Sequence, residues 1–130
     1  MLRKRWGRVI NISSIYGLRA VEGNFPYTVS KHGLSGLTKT IAKEYAPHGI
    51  TCNEICPGPI DSEMMREIGS KAVANTGKSV KDYLGEVCEE VPAKRMAKPQ
   101  EVAALAVFLA SQEAAYINGA SIPVDGALIA

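Results

Sequence analysis

Tyr27 and Lys31, in Tyr27-Thr28-Val29-Ser30-Lys31, are a pair whose types and spacing could do chemistry. On a helix, residues four apart share a face, so the phenol and the ammonium would be neighbours. A free tyrosine, with a pKa of about 10, is a poor acid or base at neutral pH. A nearby positive charge favours the phenolate and suits the pair to passing a proton to or from a substrate oxygen. The spacing by itself arises by chance in many helices. Two hydroxyls narrow the reading. Ser14 closes the run Gly7-Arg8-Val9-Ile10-Asn11-Ile12-Ser13-Ser14, and Ser62 follows Pro57-Gly58-Pro59-Ile60-Asp61. Read singly, Ser14 is a turn hydroxyl and Ser62 a helix N-cap.

The elements that must position these groups can be read from periodicity. Arg8 to Ser13 predicts a short strand, rich in Val and Ile. Ile15 to Phe25 predicts a loop with glycines at 17 and 23. Pro26 can open a helix at its first turn, and Tyr27 to Ala46 continues it. Leu34, Leu37, Ile41 and Tyr45 recur at helical spacing, and Pro47-His48-Gly49 stops the run. A second strand is expected over Ile50 to Cys56, ended by Pro57-Gly58-Pro59. Residues 61 to 90 read as one or two irregular helices about a break at Gly77. After Pro99 an apolar helix begins, with Glu101 in its first turn, where negative charge suits the dipole. Its expected buried stripe is Val102, Leu105, Phe108 and Leu109. Ser121 to Val124 predicts a last strand, ended by the turn Asp125-Gly126.

This order is a βαβ pattern, which implies right-handed crossovers and a parallel sheet. In open α/β sheets ligands bind beyond the carboxyl ends of the strands, which is where Ser14, Tyr27 and the Pro57–Ser62 segment would meet. Parallel sheets need helices on both faces, and a sheet of three strands leaves an edge where another would pair. Glu54 is an anomaly in the middle of a strand expected to be buried on both sides.

Composition excludes several classes. The 130 residues fit one domain, 46% are hydrophobic, and the net charge of +2 is too small to point to nucleic acid or an anionic membrane. Arg3, Lys4, Arg5 and Arg8 read as a solvated helix end, because only Trp6 interleaves them. No apolar run approaches a membrane span, and Val9 to Ile12 is too short and polar for a signal-peptide core. The odd count of three cysteines fits a reducing compartment, so the expected location is cytoplasmic. Cys52 and Cys56 should be buried thiols on one strand face. No Cys/His cluster has metal-ligand spacing.

These residues together resemble the short-chain dehydrogenase/reductase family, over essentially the whole chain. The resemblance rests on the Ser14, Tyr27-Lys31 and Pro57–Ser62 runs. It extends through Arg95-Met96, Pro99 to Ala103, Phe108 to Ser111, Ile117-Asn118-Gly119 and Val124-Asp125-Gly126, with Ala127 where glycine is usual. It implies an NAD(P)-dependent oxidoreductase that interconverts a secondary alcohol and a ketone. By that resemblance Ser14 orients the substrate, Tyr27 is the general acid/base, and Lys31 lowers the phenol pKa and binds the nicotinamide ribose. Pro57, Gly58, the backbone of Ile60 and the Ser62 hydroxyl would contact the nicotinamide carboxamide.

The family's Gly-rich phosphate loop has no counterpart here. Gly33 and Gly36 lie inside the Tyr27 helix, where they read as sites of close helix packing. The expected fold is therefore the C-terminal half of a Rossmann-type doubly wound parallel sheet. Residues 1–130 would form a partial domain carrying the catalytic and substrate-binding half, with the N-terminal dinucleotide-binding half absent. A truncated gene, a late start codon or a split product would each give such a sequence. The residue that separates NAD from NADP lies in the other half, so both stand. In the family the Tyr27–Ala46 helix packs across subunits, which implies a homo-oligomer. Substrate choice is expected in residues 61 to 98; several phrases look like 3-hydroxybutyrate dehydrogenases, 3-oxoacyl-carrier-protein reductases or sugar dehydrogenases. The competing reading is a non-catalytic remnant that serves as an interaction or oligomerisation module.

Overall fold

The computed structural model describes residues 1–130. A 3-10 turn at Leu2–Lys4 leads into strand β1, Gly7–Ile12, and a second 3-10 turn spans Ile15–Gly17. Helix α1, Phe25–Tyr45, is followed by a 3-10 turn at Ala46–His48 and strand β2, Ile50–Pro57. Helices α2, Glu63–Val73, α3, Val80–Glu90, and α4, Pro99–Ala110, precede strand β3, Ser121–Val124. The three strands form one parallel sheet in the order β1-β2-β3. Gly7 to Ile12 pair with Ile50 to Ile55, and Glu54 to Pro57 pair with Ser121 to Val124. The expected parallel βαβ layout is present, with strand limits moved by one residue.

Local chemistry sets the helix limits. Pro26 lies in the first turn of α1, where a missing N–H costs nothing. Gly49, with φ 70°, closes the turn that ends the helical run, because an added Cβ would lie 2.3 Å from the Arg5 carbonyl oxygen. The break at Gly77 separates α2 from α3, and Ser79 with Asp82 makes a reciprocal capping box on α3.

Strand alternation divides the core into two unlike layers. On one face Ile55 packs with Leu109 and Ala114, surrounded by Ile10, Val102, Leu105, Ala106, Ile117 and Ile122. Fully burying one such side chain contributes roughly 1.5–3 kcal/mol, and Leu109→Ala would forfeit about 2–5 kcal/mol. Phe108 does not belong to this stripe: it is exposed, because it sits one residue, about 100° of helix, away from Leu109.

The face under α1 is polar. The helix turns Ser35, Thr38 and Ala42 onto the sheet, while Leu37 is exposed, so the expected stripe of Leu34, Leu37, Ile41 and Tyr45 is rotated. Small hydroxyl residues win because the sheet beneath offers partners. Thr38 Oγ1 accepts from Asn11 Nδ2 at 2.9 Å and donates to the Leu34 carbonyl at 2.9 Å. Glu54, fully buried, takes its place here: one carboxylate oxygen accepts from Ser121 Oγ at 2.5 Å, and the other has no partner. Gly33 and Gly36 pack against nothing in the chain, since an added Cβ at either would meet only open space.

Candidate active site

The carboxyl ends of β1 and β2 deliver the two hydroxyl segments to one edge of the sheet. β1 ends at Ile12, and Ser14 lies two residues on, buried, as the N-cap of the 3-10 turn. Ser14 Oγ accepts from the Tyr16 amide at 3.2 Å. Accepting that bond leaves the serine's own proton free to be donated. The Gly17 amide also bonds the Ser14 carbonyl at 2.9 Å, and Ser35 Oγ of α1 donates to the Gly17 carbonyl at 3.3 Å. At Gly17 the turn and α1 approach closely: a Cβ would lie 2.7 Å from Ser13 Oγ and 3.0 Å from the Lys31 carbonyl oxygen.

Helix α1 brings Tyr27 and Lys31 to the same edge on one face. Lys31 Nζ lies 5.4 Å from the centre of the Tyr27 ring and donates to the Ile12 carbonyl, the last of β1, at 3.1 Å. That bond ties the helix to the strand end and holds the ammonium beside the phenol. Tyr27 is 39% exposed, so its ring is reachable from solvent. Tyr16 stands edge-on to it, with ring centres 6.3 Å apart and planes at 84°. Ser14, Tyr27 and Lys31 thus belong to one connected group, and Tyr16 joins them.

The second strand end supplies the Pro57–Ser62 segment. The Gly58 amide donates to the Val124 carbonyl at 3.1 Å, and a Cβ on Gly58 would come within 2.9 Å of Asp125 Cβ. Ile60 forms an isolated parallel bridge with Ala97. The bonds of that bridge run from the Asp61 amide to the Ala97 carbonyl and from the Ala97 amide to the Pro59 carbonyl. Ile60's own amide and carbonyl therefore face the other way. Ser62 is the N-cap of α2, its hydroxyl accepting from the Met65 amide at 3.3 Å. The turn and cap readings of Ser14 and Ser62 are both realised, and neither conflicts with a role at the sheet edge.

Two buried thiols of β2 lie below the site. Burial pushes the Cys56 thiol up to about 11; the Glu54 carboxylate adds to this and the Ser13 hydroxyl opposes it. Burial likewise raises the Cys52 thiol. No group of three metal-binding side chains comes together, and no helix is long and apolar enough to cross a membrane.

Sequence reading passed over Tyr16, placing it in a plain loop; an aromatic two residues after a serine at a strand end was the available signal. It also left Asn53 and Asn118 without individual roles. Asn118 Oδ1 accepts from the Cys52 amide at 2.8 Å and its Nδ2 donates to the Ala42 carbonyl at 3.2 Å, locking α1, β2 and the loop before β3 together.

Comparison with known proteins agrees with the fold. The family model described as enoyl-(acyl carrier protein) reductase matches residues 1–128. The chain is 38% identical over 128 residues to 3-oxoacyl-(acyl-carrier-protein) reductase of Vibrio harveyi, covering 98% of this chain and 48% of that protein. It is 38% identical over 127 residues to D-beta-hydroxybutyrate dehydrogenase of Rhizobium meliloti (strain 1021), covering 97% and 49%. Among solved structures, a variant of actinorhodin polyketide ketoreductase with NADPH superposes with a TM-score of 0.93 at 33% identity, over 98% of this chain and 49% of that one. The chain spans about half the length of the curated relatives it matches. That match, continuous from Met1 to Leu128, and the shared parallel α/β architecture place the chain in the short-chain dehydrogenase/reductase family.

Proposed function

We propose that residues 1–130 form the catalytic and substrate-binding half-domain of an NAD(P)-dependent oxidoreductase that interconverts a secondary alcohol and a ketone. The observation that carries this reading is the placement of Tyr27 and Lys31 on one face of α1, with Lys31 bonded to the last carbonyl of β1 and Ser14 just beyond it.

The residues present fit the nicotinamide end of a dinucleotide. A carboxamide carries one donor group and one acceptor, and the unpaired amide and carbonyl of Ile60 are the complement. Gly58 supports a turn that has no room for a side chain. Pro57, Gly58, Ile60 and Ser62 would hold the carboxamide, and Tyr27 and Lys31 the ribose. When bound, the nicotinamide supplies or accepts the hydride at the substrate carbon. The chain's own residues do the rest. Ser14, its oxygen already accepting from the Tyr16 amide, donates a hydrogen bond to the substrate oxygen and orients it, keeping its own proton. In the reductive direction Tyr27 gives a proton to that oxygen as negative charge develops there, and in the oxidative direction it takes the proton back. The Lys31 ammonium stabilises the negative charge left on the phenol oxygen.

The names of the relatives support small hydroxy or oxo substrates, with 3-hydroxybutyrate and 3-oxoacyl thioesters as the first to test. Choice among them falls to residues 61 to 98, whose α2 and α3 follow the Pro57–Ser62 turn. Exposed Val29 and Leu37, with open space over Gly33 and Gly36, support self-association through α1. Three free thiols support a cytoplasmic location.

The test is a titration of the purified 130-residue chain with NADH and NADPH, following nicotinamide fluorescence, with turnover measured for both substrate types. The expected result is saturable binding, which Tyr27→Phe weakens by losing a ribose contact, with turnover about 10²–10⁴-fold slower at saturating cofactor. Undiminished turnover by Tyr27→Phe would refute the assignment. A folded chain that binds neither nucleotide up to millimolar concentration would favour the interaction-module reading.

A further inference from the structure

The geometry points to Tyr16 as a positioning residue for this site: its ring fixes the orientation of Tyr27, while its backbone fixes Ser14. The inference rests on the reading of Tyr27 as the proton-transfer group. Tyr27 sits in the first turn of α1, whose amides have no intrahelical partners. Asn24, the N-cap residue, makes no side-chain capping bond. The start of this helix therefore lacks the usual restraint on fraying, and the Tyr27 ring is more than one third exposed. Something outside the helix has to hold it.

Tyr16 meets that need. Its ring and that of Tyr27 are 6.3 Å apart at 84°, the edge-to-face arrangement that the ring quadrupoles favour. The Tyr16 ring is itself held by the Arg19 guanidinium, 5.9 Å from its centre. Its backbone cannot wander, because the 3-10 turn is pinned by the Tyr16 amide on Ser14 Oγ and by Ser35 Oγ on the Gly17 carbonyl. One residue thus orders both the hydroxyl that orients substrate and the phenol that moves the proton. Substitution of the side chain releases Tyr27 while leaving the amide on Ser14.

The decisive experiment compares wild type, Tyr16→Leu and Tyr16→Phe by NMR on the full 130-residue chain with labelled tyrosine and lysine side chains. Tyr16→Leu is expected to lose the nuclear Overhauser effects between the Tyr27 ring and the Lys31 side chain. Tyr16→Phe, which keeps the ring, is expected to restore them. In the turnover assay Tyr16→Leu should lower kcat by roughly tenfold with little change in KM, since it disturbs orientation and not binding. Tyr16→Phe should recover most of the loss. Tyr27–Lys31 contacts that survive in Tyr16→Leu would overturn the proposal, as would an unchanged kcat. Full activity of Tyr27→Phe would instead overturn the underlying assignment, while the NMR comparison would still decide whether Tyr16 positions the ring. If Tyr16→Leu fails to fold by circular dichroism, Tyr16→Met, flexible and of similar length, makes the same comparison.

Discussion

Replacing Asn53 by alanine should destabilise the fold more than any exposed substitution near the site, and the cost can be worked from two bonds. Asn53 is 1% exposed in the middle of β2. Its Nδ2 donates to the Ile117 carbonyl at 2.8 Å, and its Oδ1 accepts from the Ala120 amide at 3.0 Å. Alanine can replace neither, so two backbone groups of the loop before β3 lose their partners. A stranded buried polar group costs about 1–3 kcal/mol. Ile117 and Ala120 are half-buried and gain some water, so the low end applies to each. The expected loss is about 2–3 kcal/mol, or a fall in Tm of roughly 10 °C for a chain of this length. Urea unfolding followed by circular dichroism would measure it. Asn53→Asp supplies the internal check, because it keeps the acceptor for Ala120 but sets a carboxylate oxygen against the Ile117 carbonyl. Its folded-state pKa should rise above the usual value of about 3.9. Stability of that variant should therefore be best at low pH and fall as pH climbs through the folded value. A loss below about 0.5 kcal/mol for Asn53→Ala, within the range of ordinary surface changes, would refute the reasoning.

Other outcomes follow from the same structure. Gly58→Ala should cost about 1–3 kcal/mol through the clash with Asp125 and weaken nicotinamide binding, read by unfolding and by fluorescence titration. Ala127, with φ 72°, occupies the left-handed region, so Ala127→Gly should stabilise by about 0.5–1 kcal/mol, relief of strain outweighing the added unfolded-state entropy. Glu101, held at about 2 by Arg95, contributes stability present above its ordinary 4.5 and lost as pH falls toward 2. The Tm difference between wild type and Glu101→Gln should shrink below about pH 4 and with added salt, because the pair is exposed. In the native chain at pH 8, Cys88 alone should react with a thiol reagent, and all three cysteines should react in urea; fast native reaction of Cys56 would contradict its burial.

Much of this protein was legible in its residues because the signals are local. Hydrophobic runs, Pro26, the Gly49 stop and the Gly77 break place the strands and helices to within a residue or two, since each depends on backbone preferences the neighbours do not alter. The four-residue spacing of Tyr27 and Lys31 likewise follows from helix geometry alone. The side-chain stripes were less legible. Leu37 and Phe108 fit helical spacing as well as their buried neighbours do, and periodicity does not say which apolar face meets the sheet.

The sequence by itself determined the element order, the parallel sheet that order implies, and the placing of Tyr27 and Lys31 on one helix face, because short-range sterics and spacing suffice for these. Tertiary structure decided which of them touch. It turned Thr38 inward over Asn11 and Ser35 onto the Gly17 carbonyl, found Ser121 for the buried Glu54, and set Tyr16 against Tyr27. It also bonded Lys31 to the end of β1. Those contacts join residues distant in the chain or lying across a loop, so they exist only once the strands have paired and the helices have docked.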